Sequence, residues 1–327
     1  MNNIFNKWHL GVTFGFRAKN GWYETEEAFS EAKAIAESGA DWVVLIVTVY
    51  QEHFCSVKQF RDFKLTPSDR EVENMIEHLH GLGLKVQLRP MLETLDGAGR
   101  LAVWFPADDA TGNRIPGCSR TQLADWFRSM TERAVYYAKM AERTGCELYC
   151  LDSELDRLVD YNDHWKKVVS EVRKVYSGPV TSCHTTHMGL IDYEKVLSDK
   201  NHWFYDLDLL SLSCYHLASK AGLTKAELRD GFADQVIRFR KMAEIYEKPI
   251  LFGEFGSNKI PDEQADYLEN FLELFSNEPW WYGLYWWKWD EHLRPLGEKQ
   301  WPIKGRPAAE VLKQWSKKDR SRNINVV

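Results

Sequence analysis

The feature that most constrains this chain is an alternation kept up from one end to the other. A short, nearly continuous apolar run is followed each time by a stretch with helical periodicity. The strand-like runs are His9–Phe16, Asp41–Tyr50, Lys85–Met91, Glu147–Ser153, Val180–His184, Leu209–Tyr215, Pro249–Phe255 and Gly283–Trp289. Helices are predicted at Glu26–Ser38, Asp69–His80, Gln122–Arg143, Asp163–Tyr176, near Tyr193–Leu197, up to Tyr246, at Asp262–Ser276 and at Pro307–Ser316. Strands that are apolar throughout are buried on both faces, as in a parallel sheet covered by helices. Eight such units predict the α/β class and a single (β/α)8 TIM barrel.

A doubly wound open sheet is the rival. It should carry a glycine-rich phosphate turn after the first strand, and GVTFGFRAKNG at 11–21 is not G-x-G-x-x-G. The 327 residues suit one barrel, so a single domain is expected over 1–318, with 319–327 as a C-terminal tail.

Composition narrows the function classes. A net charge of -6 makes no case for nucleic acid or an anionic membrane surface as partner. No apolar run approaches the roughly 20 residues of a membrane span. The start MNNIFNKWHLGV lacks a basic region and apolar h-region, so a cytoplasmic location is expected unless a leader has been removed. The six cysteines are scattered, and four lie in strand-like runs that suit buried free thiols. No metal and no cofactor is expected. Fourteen tryptophans raise the prospect of a carbohydrate ligand, because indole faces stack on the C–H faces of pyranose rings.

In such barrels chemistry gathers at the carboxyl ends of the strands. The fourth strand ends in Asp152, Ser153, Glu154, Leu155 and Asp156, and the seventh carries Glu254. Carboxylates at buried strand ends need a partner or a task, since desolvation disfavours their charge. Cleaving a glycosidic bond takes two of them, one to protonate the leaving oxygen and one to attack the anomeric carbon. The plain alternative for either glutamate is a salt bridge to a barrel-mouth arginine such as Arg89.

The eighth strand brings Trp286, Trp287 and Trp289, ahead of Asp290. At least one should face the mouth as a sugar platform, and alternation leaves open which. Tyr215 and His216 end the sixth strand, His184 and His187 follow the fifth, and Tyr50 with Gln51 ends the second. The loop 92–119, with Trp104, Asp108, Asp109 and Arg114, is expected to wall a subsite or cover the rim. A metal-dependent hydrolase would need clustered histidines and carboxylates, and the first strand has no His-x-His.

With these residues in place, the chain resembles the clan A retaining glycosidases that carry an acid/base on strand four and a nucleophile on strand seven. Within that clan it is most similar to glycoside hydrolase family 113, known chiefly for β-1,4-mannanases. The resemblance runs over roughly residues 9–316, through DWVVLIVTVYQ (41–51), LKVQLRP (84–90), WFRSMTERAVYYAKMAERTGCELYCLDSEL (126–155), KPILFGEFG (248–256) and GLYWWKWD (283–290). It implies retaining hydrolysis of a β-linked oligo- or polysaccharide, with a β-1,4-mannoside or mannan as substrate. Glu154 would be acid/base, Glu254 nucleophile, Tyr215 its hydrogen-bond partner, and the strand-eight tryptophans the sugar floor.

One departure bears on the substrate. Much of the clan has asparagine before the acid/base, in contact with the sugar 2-hydroxyl, and here that place holds Ser153. A hydroxyl cannot replace the amide's separate donor and acceptor. A β-glucoside or β-glucosaminide therefore stays open beside the mannoside. The alternative of another class is a sugar-binding barrel without turnover, against which the two carboxylates argue.

Overall fold

The computed structural model describes residues 4–105, 120–218, 220, 222–289 and 301–322. Eight strands close into a barrel in sequence order: β1 (His9–Phe14), β2 (Trp42–Gln51), β3 (Lys85–Thr94), β4 (Leu148–Ser153), β5 (Val180–Thr185), β6 (Leu210–Cys214), β7 (Ile250–Phe255) and β8 (Trp281–Trp286). Every pairing is parallel, and β8 returns to β1 to close the ring. The intervening helices are α1 (Glu26–Glu37), α2 (Asp69–Gly81), α3 (Arg120–Thr144), α4 (Asn162–Arg173), α5 (Tyr193–Ser198), α6 (Lys225–Tyr246), α7 (Pro261–Phe275) and α8 (Pro307–Ser316). The expected (β/α)8 barrel is the observed one. No helix among the described residues is long and apolar enough to cross a membrane.

Two apolar layers explain the continuous apolar runs. On β2, Val43, Leu45, Val47 and Val49 join the large cluster packed against the helices. Their neighbours Trp42, Val44 and Ile46 join a smaller cluster with Met91, Leu148, Leu209, Leu251, Tyr285 and Trp287. Successive side chains leave opposite faces of a strand, so these are the outer layer and the barrel interior. Side chains at the helix N-caps fix where helices begin: Ser68 forms a capping box with Glu71 on α2, and Thr224 does so with Glu227 on α6.

Three boundaries differ from the sequence reading in ways that matter. β3 runs on to Thr94 because it pairs with β2 over ten residues, from Trp42↔Lys85 to Gln51↔Thr94. That extension carries Glu93 to the mouth. β8 starts earlier and ends at Trp286, after which Trp287 N–H donates to the Phe255 carbonyl and Trp289 N–H to that of Thr13. The third is the C-terminal tail, whose start is anchored to the barrel. Arg320 pairs with Asp41 at 2.9 and 3.1 Å, and Lys7 bridges Ser321. Residues 323–327 lie outside the described residues, as do Cys118 and the part of the expected rim loop that holds Asp108, Asp109 and Arg114. Cys146, Cys150, Cys183 and Cys214 are buried free thiols, and Cys55 is partly covered.

Candidate active site

A cleft of about 480 Å³ opens at the carboxyl ends of the strands, walled by Phe16, Arg17, Glu93, Arg100, Glu154, His187, Tyr215, Glu254, Trp287 and Trp301 among others. Its floor holds both glutamates read from the sequence, and they sit in unlike surroundings.

Glu254 is the more tightly held. Its Oε1 accepts from Arg89 Nη1 at 2.9 Å and from Ser153 Oγ at 2.6 Å. Its Oε2 accepts from Tyr215 Oη at 3.2 Å. Arg89 is wholly buried and also donates to the Gly253 carbonyl at 3.0 Å. Burial works against the Arg89 charge, but Cys150, Cys183 and Glu254 more than offset it, so its pKa lies above the ordinary guanidinium value. Burial, followed by the negative fields of Glu254 and Glu154, raises Tyr215 well above the usual phenol, so it stays a donor. Three hydrogen-bond donors thus converge on one buried carboxyl group. The close fit requires glycine at 253: a Cβ there would come within 1.9 Å of Ser211 Oγ and 3.1 Å of Arg89 Nη2.

Glu154 lies just past β4 with φ of 61°, a left-handed backbone that a glutamate adopts only under tertiary constraint. Its N–H donates to the Cys183 carbonyl at 2.8 Å. Its Oε2 accepts from Arg100 Nη2 at 2.8 Å. Burial pushes its pKa up to about 7; Arg100 pulls against that, Glu254 and Asp156 add to it, and the Ser213 hydroxyl opposes it. One carboxyl in the cleft is thus primed to carry a proton near neutrality, while the other is ringed by three donors. That is the division an acid–nucleophile pair needs.

Among the strand-eight tryptophans, Trp287 faces the cleft, against Phe16 at 4.9 Å between ring centroids. Trp286 points the other way, packs on Phe255 and donates Nε1–H to the Trp301 carbonyl at 3.1 Å. Trp289 is buried and donates to Glu31 Oε2 at 2.7 Å. Asp290 lies outside the described residues.

Four other expected residues do not line the cleft. Asp152 is bound from behind by Arg133 and accepts from the Leu92 N–H at 3.3 Å. His184 points outward to Asp156 Oδ1 at 3.0 Å, among Trp203 and Phe204. His216 meets Thr186 Oγ1 at 3.0 Å and Arg238 at 3.3 Å. Tyr50 bridges to Phe60, with burial pushing its phenol up to about 12. Ser153 is wholly buried and meets the site only through its hydroxyl, which donates to Glu254. His187, weighed as a lesser candidate, is in the wall, and burial lowers its pKa.

The sequence reading missed Arg100, Glu93, Arg17 and Trp301. Arg100 sits on a short 3-10 turn, Arg100–Ala102, and its Nη1 meets Glu93 Oε1 at 2.5 Å. Arg17 Nη2 lies 3.4 Å from the other Glu93 oxygen. Trp301 meets Tyr215 edge-on at 5.2 Å. Among the described residues, no three His, Cys, Asp or Glu side chains group as a metal site.

The model of Glycoside Hydrolase Family 113 matches residues 12–301. A GH113 β-mannanase from Alicyclobacillus acidocaldarius is 28% identical, with a TM-score of 0.78 over 96% of this chain and 98% of its own. A GH113 β-1,4-mannanase structure is 25% identical, with a TM-score of 0.80 over 96% of this chain and 100% of its own. An exo-β-1,4-mannosidase from Opitutaceae bacterium strain TAV5 shares the fold at 15% identity and a TM-score of 0.63, covering 95% of this chain and 59% of its own. No curated protein sequence matches the chain.

Proposed function

The chain belongs to Glycoside Hydrolase Family 113 and is a glycoside hydrolase; from that premise we propose that it cleaves β-1,4-mannosidic bonds with retention of configuration. The observation that carries the mechanism is the unequal environment of two carboxyls in one cleft: Glu254 ringed by three donors, Glu154 raised to about 7. In the first step the Glu254 carboxylate attacks the anomeric carbon while Glu154 gives its proton to the departing glycosidic oxygen. The C–O bond breaks and a glycosyl ester forms. In the second step the Glu154 carboxylate takes a proton from water, whose oxygen attacks the same carbon and displaces Glu254.

The surrounding residues have matching tasks. Arg89, Ser153 and Tyr215 hold the Glu254 carboxyl in place and aimed. As charge passes from Glu254 into the ester bond, these donors also steady it as leaving group in the second step. Trp287, with Phe16 behind it, offers an indole face under the scissile sugar. The mannoside assignment draws on the β-mannanases to which the chain is similar.

The test uses aryl β-mannoside, glucoside, glucosaminide and xyloside, then the matching oligosaccharides. Turnover confined to another sugar redirects the substrate assignment, toward which the Ser153 replacement already points attention. Calorimetric binding without turnover on any member favours a sugar-binding barrel. For the mechanism, Glu254→Ala should be nearly inactive on all substrates, and azide should yield a glycosyl azide of inverted configuration. Glu154→Ala should still be glycosylated by an activated aryl glycoside, with azide giving the retained product. Swapped stereochemistries would exchange the two roles.

A further inference from the structure

We propose that Arg100 is a positioning residue for Glu154: held by Glu93, its guanidinium decides which carboxyl oxygen carries the proton and at what pH that proton leaves. The proposal rests on the acid/base reading of Glu154 given above.

The geometry is that of a fork between two carboxyls. Arg100 Nη1 reaches Glu93 Oε1 at 2.5 Å and Nη2 reaches Glu154 Oε2 at 2.8 Å, with the Arg100 side chain only 12% exposed. A guanidinium offers only N–H donors. Glu154 Oε2 must therefore accept, and a proton placed on it would oppose the Arg100 N–H. The proton goes to Oε1, which leaves that oxygen as the one to serve the glycosidic bond. The Glu154 backbone is pinned by its N–H bond to Cys183 in a left-handed conformation, and the Arg100 bond sets the orientation of the carboxyl itself.

Charge follows the same chain. Arg17, Glu93, Arg100 and Glu154 alternate in sign along the wall, joined at 3.4, 2.5 and 2.8 Å. The other groups that face Glu154 are Glu254 from β7, Asp156 from its own segment, Tyr215 from the end of β6 and the Ser213 hydroxyl on β6. Among these described residues Arg100 is the cation beside Glu154, the counterweight to burial and to the two neighbouring carboxyls. Glu93 in turn moderates Arg100.

A purely structural role for the ion pair is the competing account. The turn already has other anchors: Gly99 N–H donates to Thr94 Oγ1 at 2.8 Å, and Arg157 Nε donates to the Leu101 carbonyl at 3.0 Å. These bonds hold the turn independently of the Arg100 side chain.

The two neighbours should move Glu154 in opposite directions, which loop anchoring alone would not do. The readout is the carboxyl carbon-13 titration of Glu154 in the whole protein without substrate, assigned by its loss in Glu154→Gln. Arg100→Met should raise the midpoint by about one unit, and Glu93→Gln should lower it by a fraction of a unit. Arg100→Lys should keep it near the parent value. If Arg100→Met fails to fold, the downward shift in Glu93→Gln decides. Midpoints unmoved in both, or moved the same way, overturn the proposal. The basic limb of the kcat/KM profile should follow these midpoints. A limb that survives in Glu154→Gln while the titrations shift as expected would remove the acid/base reading and confine Arg100 to a static effect.

Discussion

Arg89 on β3 and Glu254 on β7 sit on opposite sides of the barrel and meet across its axis at 2.9 Å, both almost wholly buried. Closure of the eight-strand ring is what brings a residue near 90 against one near 250. The pair also explains why an anion is stable in so dry a place, since each charge would be prohibitively unfavourable alone.

This predicts a lopsided mutant cycle. Arg89→Met strands the Glu254 charge and should lower stability by about 3–5 kcal/mol. The double variant Arg89→Met/Glu254→Gln should recover a good part of that, because no unpaired charge remains. Urea unfolding at neutral pH measures both. A double variant no more stable than Arg89→Met alone would show that packing, not charge, dominates at this site.

Trp287 and Trp286 are neighbours in sequence with opposite duties. Trp287→Ala should leave a folded protein whose kcat/KM on oligosaccharide falls by about tenfold or more, on the scale of aromatic contacts. Trp286→Ala should instead destabilise by about 3–5 kcal/mol, since it empties the layer between barrel and helices. Thermal melts alongside kinetics separate the two. Equal kinetic losses with equal stability losses would remove the distinction.

Glu154 should make the protein less stable as pH rises. Its folded pKa of about 7 lies above the ordinary 4.5, so the folded state binds more protons in that window. Stability is unaffected below about 4.5 and declines as pH climbs through 7. The loss approaches about 3 kcal/mol at most. Glu154→Gln should therefore unfold like the parent at pH 4 and be the more stable of the two at pH 8. Denaturant midpoints at the two pH values test the sign.

His9 works in the opposite direction. Buried between Tyr285 Oη at 2.8 Å and the Ile4 carbonyl at 2.9 Å, its pKa falls to about 4, with burial as the main cause. The folded state then binds fewer protons than the unfolded chain between about 4 and 6.5, and stability drops as pH falls through that range. At pH 5 the deficit is about 2 kcal/mol. His9→Gln should flatten the difference between unfolding free energies at pH 7 and pH 5. An unchanged slope would place the acid sensitivity elsewhere.

Much of this protein is settled locally and is therefore legible along the chain. Strand and helix periods arise from which face of each segment must be dry, and eight alternations admit few closures. Glu154 and Glu254 were visible for the same reason, as carboxylates at the ends of otherwise apolar runs. Four features depended on contacts that no local pattern encodes. Trp287 rather than Trp286 faces the cleft because β8 keeps Tyr285 in the barrel interior, and a strand's parity is set by its neighbours' register. Asp152 and His184 turned to Arg133 and Asp156 instead of the mouth, since buried polar groups go to whichever partner packing supplies. Glu93 reached the rim only because β3 lengthened to match β2, and Arg100 found Glu154 across 54 residues of sequence. The sequence determined which groups could do the chemistry; ring closure decided which of them meet, because distance, burial and charge at the site are properties of the assembled barrel.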